Sequence, residues 1–375
     1  MTYLDYAANT PVREEVLFAF CEAAKAYPAN PNSPHGLGKL AEERLIKSTT
    51  HILELLGCLG WELIYTSGAT ESNNLAIKGA TQYYRGRGKH IVTTFLEHSS
   101  VHGAVGALQA AGCEVEYVRL LPDGKIDIAH LGSLLRPDTV LFSCCYVDSE
   151  LGIVQNIDEI GSFLKSNSPN TIFHVDATQA VGKLPVSLSQ ADLISFAPHK
   201  FYGLNGIGAL IKRPDLLLEP QMHGGHSTTA YRSGSPALAL IVSMEEALSL
   251  AYAELEQNIA RAHAQNALLR AHFKQYPGVL VNSPKDALPF ILNISVPGRG
   301  APQFIGMLEE KGFTLSGKSA CTAPKAVSRP VFALTNDRKL ALSTLRVSLG
   351  RWTTDEDIRA FLAAFDACYL EIGRK

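Results

Sequence analysis

From about residue 60 to 213 the chain alternates short apolar, β-rich runs with stretches of helical period. The runs at 63–66, 90–94, 115–119, 140–147, 172–175, 193–196 and 208–212 predict strands, and the periods at 99–111 and 157–165 predict helices between them. This alternation indicates an α/β domain around a mostly parallel seven-stranded sheet. Ligands of such sheets bind beyond the carboxyl ends of the strands.

From 236 to 272 the pattern is continuously helical, predicting one long helix or a pair. Strands near 292–296 and 345–348 and helices near 303–311 and 355–372 then read as a smaller α+β domain, against which the N-terminus packs. The expected division is a large domain over 15–255 and a small domain built from 1–14 and 256–375. No repeat or low-complexity tract interrupts it.

Composition narrows the picture. The 375 residues, 46% apolar and 19% charged, are those of an ordinary globular protein. A formal charge of -2 supplies no basic field for nucleic acid. Asp5 and Arg13-Glu14-Glu15 do not have the layout of a signal peptide. No run approaches 18 uninterrupted apolar residues, so no membrane span is expected. The seven cysteines (Cys21, Cys58, Cys113, Cys144, Cys145, Cys321 and Cys368) are scattered and form no C-x-x-C. Neither a disulfide framework nor a metal site is expected, and a reducing cytoplasm fits best.

The chemistry concentrates in two runs. Asp176 and Gln179 end one apolar run, and His199-Lys200 follow the next, ahead of the glycine-rich stretch Gly203–Gly208. An acid and a lysine so placed can serve pyridoxal phosphate, the lysine as Schiff-base former and the acid as partner of the pyridinium nitrogen. Such a lysine needs surroundings unfavourable to charge; most lysines are instead solvated.

Thr66-Ser67-Gly68-Ala69-Thr70-Glu71 follows a strand and opens a helix, where backbone N–H groups favour a phosphate. Alone, it reads equally as a helix cap with Glu71 in the first turn. His98 ends a strand on the ligand side, suited to stacking and proton transfer or simply to capping. Cys321 lies in a small-residue stretch between Lys318 and Lys325, where positive charge favours the thiolate. Arg346 has a planar fork suited to a carboxylate, with a structural ion pair as the plain alternative.

Taken in order, these motifs resemble the cysteine desulfurases of the NifS/IscS type, within the class V aminotransferases. The resemblance runs from Tyr3–Pro11 through Asn30–His35, Thr66–Lys78, Glu97-His98, Asp176–Lys183, His199–Leu210 and Arg232–Gly234 to Ser316–Cys321 and Arg346–Thr353. It implies the type I PLP-dependent aminotransferase fold, a homodimer and pyridoxal 5'-phosphate. It assigns Lys200 as the Schiff-base lysine, Asp176 as pyridinium partner, Gln179 to the phenolic oxygen and His98 to the ring face. Ala69, Thr70 and His199 would hold the phosphate, with Ser235 reaching that of the partner subunit. Arg346, Ser149 and Asn30 would bind L-cysteine, and Cys321, on an extended mobile loop, would accept its sulfur as a persulfide.

The chain departs from that pattern in places. Val147-Asp148-Ser149-Glu150 stands where the family usually has Val-Asn-Asn-Glu, and Ala197 replaces a phosphate-binding serine. Gly224–Ala230 replaces a Gly-Gly-Gly-x-Glu-Arg-Gly run, and Leu204-Asn205-Gly206 replaces a Pro-Lys-Gly turn. The housekeeping branch continues past the position of Lys375 with a tail that docks the iron–sulfur scaffold. A specialised relative is therefore expected. The protein acceptor of the sulfur is left open among iron–sulfur assembly, tRNA thiolation, DNA modification and cofactor synthesis. Two rival readings stand beside desulfuration: a lyase acting on selenocysteine or another β-substituted amino acid, and a non-catalytic partner protein that kept the fold.

Overall fold

All seven strands expected between residues 60 and 213 form one sheet in a computed structural model that describes residues 1–225, 227–298, 300–318 and 326–372. The strands in chain order are β1 (Thr2–Tyr3), β2 (Glu62–Thr66), β3 (His90–Thr93), β4 (Glu114–Tyr117), β5 (Thr139–Cys145) and β6 (Ile172–Asp176). They continue with β7 (Leu193–Phe196), β8 (Gly208–Lys212), β9 (Leu280–Val281), β10 (Ile291–Ser295), β11 (Phe313–Thr314) and β12 (Thr344–Ser348).

The large sheet has the order β2-β8-β7-β6-β5-β3-β4. Only β8 runs against its neighbours. Every residue of β3, β5, β6, β7 and β8 is buried, as expected where helices cover both faces of a sheet. Successive residues point to opposite faces. Thus Val92, Phe142 and Ile194 join one apolar cluster, and their neighbours Ile91, Leu141 and Leu193 join another.

A second, antiparallel sheet has the order β12-β10-β9. Its core gathers Leu4, Phe304, Phe361 and Phe365. The N-terminal strand joins it indirectly, with β1 parallel to β11 and Asp5 bridged to Ser348. The expected helical stretch over 236–272 is a pair, Leu238–Ala253 and Leu255–Phe273. The break falls at Glu254, which accepts from both Arg13 and Arg351 at 3.0 Å.

Two further helices, Glu14–Ala26 and Gly36–Leu55, left no clear apolar stripe in the sequence. Leu17, Phe18, Leu37, Leu40 and Ile46 are exposed on them and blur the polar face. Among the described residues no helix is long and apolar enough to cross a membrane.

Candidate active site

The chain segments that follow β2, β3, β5, β6 and β7 converge on one cavity of about 350 Å³. Ala69, Thr70, His98, Ser149, Asp176, Gln179, His199, Lys200 and Arg346 all line it. Cys321 lies outside the described residues. Asn30 and Ser235 do not line the cavity; both are exposed, and Asn30 Nδ2 donates to Ser235 Oγ at 3.2 Å.

Lys200 is placed by a tight turn. After β7 the chain makes a single 3₁₀ turn over Pro198–Lys200, and Tyr202 then adopts φ 68°, a conformation costly for a residue with a bulky side chain. Thr10 holds the turn in place. Its N–H and its hydroxyl both donate to His199 O at 3.0 Å, and the hydroxyl accepts from the Tyr202 N–H at 2.7 Å. Lys200 Nζ donates to the carbonyls of Ala7 and Ala8 at 3.0 and 2.5 Å. Gln179 Nε2 reaches the same Ala7 carbonyl at 2.9 Å.

Asp176 ends β6 and is buried at the cavity wall. One carboxylate oxygen accepts from the Thr178 N–H at 3.0 Å, the other from Asn73 Nδ2 at 2.8 Å. Asn73 Nδ2 also donates to Ser100 Oγ at 2.9 Å, and that hydroxyl lies 2.9 Å from His98 Nδ1. The Ser100 backbone N–H donates to the same ring nitrogen. An N–H can only donate, so Nδ1 is the acceptor and the neutral ring carries its proton on Nε2. Burial, the largest influence, holds the His98 pKa below its ordinary value. His199 is pushed down to about 4, by burial and then by the neighbouring Lys200.

The helix that opens at Ala69 begins against this cavity. Its first-turn N–H groups on Ala69 and Thr70 have no protein partner among the described residues, as expected at a helix start. The Ser67 N–H is taken by Glu71 Oε2 at 2.6 Å, and Glu71 Oε1 accepts from Arg232 at 3.0 Å. Both readings of this run therefore coexist: a side-chain cap, and open N–H groups beside it. A Cβ on Gly208 would come within 2.5 Å of the Gly68 backbone. Only glycine lets β8 approach the loop this closely.

Arg346 is buried on the opposite wall. Nη2 meets Asp5 Oδ1 at 2.8 Å, and Nη1 donates to the Ser149 carbonyl at 2.9 Å. Nε has no partner. Ser316 Oγ donates to the other Asp5 oxygen at 2.6 Å. The ion pair expected as the plain alternative is thus present, on an arginine that still faces the cavity.

Three buried acids, Asp148, Glu97 and Glu150, lie around Ser149. Asp148 accepts from the Leu151 N–H through Oδ2, while Oδ1 has no partner among the described residues. Burial, then Glu150, pushes its pKa up to about 7. Glu97 is pushed up to about 8, chiefly by burial. Glu150 in turn accepts from Ser328 Oγ at 2.6 Å.

Asp5, the Ala7 and Ala8 carbonyls and Asn73 were not singled out by their chemistry in the sequence. Asn73 gives no distinct signal, since it stands in the polar run Thr70-Glu71-Ser72-Asn73-Asn74. Backbone carbonyls leave none.

A cavity with cationic and N–H donors around its mouth and one acid held by two donors suits a flat, anionic guest with a basic ring nitrogen. Comparison with known proteins points the same way. The family model for Aminotransferase class-V matches residues 2–361. A cysteine desulfurase IscS of Glaesserella parasuis serovar 5 is 40% identical over 373 residues, covering 95% of this chain and 89% of that protein. A solved NifS-like protein superimposes with a TM-score of 0.92 at 28% identity over 99% of both chains. The crystal structure of DndA from Streptomyces lividans gives a TM-score of 0.78 at 32% identity, over 92% of this chain and 99% of that one.

Proposed function

Given that the chain belongs to the class V aminotransferase family, we propose that its cavity binds pyridoxal 5'-phosphate and converts L-cysteine to L-alanine, with the sulfur leaving on Cys321. The enzyme is a cysteine desulfurase. The convergence of Lys200, Asp176, His98, Gln179 and Arg346 on one cavity carries this reading.

The residues present fit the cofactor. Among the described residues Thr178 Oγ1 is buried at the cavity without a partner, and the Ala69 and Thr70 N–H groups are open. Those N–H groups, with Thr70 and His199, would hold the phosphate. Asp176 would partner the ring nitrogen, His98 the ring face and Gln179 the phenolic oxygen. When bound, the cofactor is an electron sink that labilises the groups around the substrate Cα.

The chain's own residues do the rest. Arg346 binds the substrate carboxylate with its charged fork, in a plane set by Asp5 and the Ser149 carbonyl. Lys200, whose Nζ lies at the cavity, would hold the cofactor and would accept the proton from the substrate Cα. The Cys321 thiolate attacks the substrate sulfur, whose bond to Cβ breaks with its electron pair left on the carbon side, where Cβ takes up a proton. Alanine leaves, and Cys321 keeps the sulfur as a persulfide for a protein acceptor. Ser149 is shorter than the family's usual asparagine and reaches less far toward substrate.

We assign Ser235, beside Asn30 and outside this chain's own cavity, to the site of a partner subunit in a homodimer. We infer a reducing compartment, the cytoplasm, which suits the free thiols of the described cysteines.

The test is product analysis of PLP-loaded protein given L-cysteine and a thiol reductant. Alanine equal to sulfide is expected. Pyruvate with sulfide would mean β-elimination and remove the role of Cys321; no product from a loaded enzyme would revive the other rivals. The relatives, named cysteine desulfurases, do not favour those rivals.

A further inference from the structure

Lys183 is a buried lysine with no acid beside it. Among the described residues its side chain has one hydrogen-bond partner, Gln179 Oε1, at 2.6 Å. The two residues are four apart in the tight turns after β6, where Val181 and Leu184 N–H groups close back on Ala177 and Ala180. Burying an amine away from any carboxylate is costly. A methionine of similar length would fill the space without that cost.

The other side of the Gln179 amide explains the arrangement. Its Nε2 faces the Ala7 carbonyl at 2.9 Å, and a carbonyl can only accept. The amide nitrogen must therefore lie on the Ala7 side and Oε1 on the Lys183 side. An amide nitrogen carries two N–H groups. One goes to Ala7, beside Lys200 Nζ, and the second is left for the cavity.

We propose that Lys183 is a positioning residue, which locks the Gln179 amide so that its remaining N–H is presented to the phenolic oxygen of the bound cofactor. This rests on the function proposed above and names a residue that acts through another. Burial first, then the charges of Lys200 and Arg346, hold the Lys183 amine well below the ordinary lysine value. A neutral amine still has N–H groups to donate, so the lock survives loss of the charge.

The test uses apoprotein titrated with pyridoxal 5'-phosphate, read by visible absorbance, in wild type and in Lys183→Met, Lys183→Gln, Gln179→Ala and the double variant Lys183→Met/Gln179→Ala. Lys183→Met should weaken cofactor binding about tenfold, the value of one well-placed hydrogen bond, and move the pH midpoint of the visible band. Lys183→Gln restores a donor and should recover most of the loss. In the Gln179→Ala background, Lys183→Met should change neither quantity.

Wild-type affinity and spectrum in both single Lys183 variants would overturn the inference. So would an equal loss with and without Gln179, which marks a lysine that only supports the fold. Wild-type protein that took up no cofactor would overturn the functional reading itself, and this inference with it.

Discussion

Asn73 Nδ2 donates to Asp176 Oδ2 across 2.8 Å, with both side chains buried. The same nitrogen reaches Ser100, and through it His98. One amide therefore ties the acid under the cavity to the imidazole beside it. Asn73→Ala leaves that acid short of a donor. Apoprotein stability in urea should fall by about 1–3 kcal/mol, and cofactor affinity should fall with it. Unchanged values of both would show the link to be idle.

Arg346 combines a fork with a fixed plane. Arg346→Lys keeps the charge and loses the fork, so KM for L-cysteine should rise about ten- to a hundredfold. The effect on kcat should be smaller, since the carboxylate is held in ground and transition state alike. A fall confined to kcat would remove Arg346 as the substrate anchor.

Asp148 makes stability depend on pH. Its pKa is raised to about 7 in the folded chain and sits near 3.9 when unfolded. Below about pH 4 both states are protonated, and stability from this residue is fully present. As pH rises toward 7 the unfolded chain has released a proton that the folded chain retains, so stability falls. Asp148→Asn keeps an acceptor for the Leu151 N–H and cannot ionise. It should stabilise the protein by about 1–3 kcal/mol at pH 8 and have little effect near pH 4. Urea titrations at the two pH values measure the difference, and equal effects at both would contradict it.

Thiol reactivity should separate the cysteines sharply. Cys144 and Cys145 are buried, with their thiols pushed well up by burial, and Cys58 is pushed up to about 11. Cys368 is buried and raised as well. Brief alkylation of native protein, mapped by mass spectrometry, should label Cys321 first; among the described cysteines Cys21, exposed on the first long helix, should follow, ahead of the partly exposed Cys113. Preferential modification of Cys58 or Cys368 would count against this order.

The large sheet was legible because each strand is an apolar run bounded by turn residues, and 193–196 and 208–212 match β7 and β8 residue for residue. Periodicity could not locate the break at Glu254, since what stops that helix is a pair of arginines distant in sequence. The first two long helices were hidden by apolar residues on their outward faces. Lys200, Asp176 and His98 could be read as a group because each follows a strand, and such ends meet. Asp5 and the Ala7 carbonyl could not, because they enter the cavity only through long-range pairing of the N-terminus. Asn30 and Ser235 lie outside this chain's cavity, where no single-chain pattern explains them.

The N-terminal segment also bears on how the enzyme comes into being. Residues Asp5 to Thr10 are made well before the residues that hold them, whose positions are His199, Lys200, Ser316, Arg346 and Ser348. For most of synthesis the segment has nothing to bind. Contacts this distant in sequence close late, after the loops between them have been brought together. The nascent chain can therefore build its sheet before it can hold an amino acid, and catalytic competence arrives only when these distant segments meet.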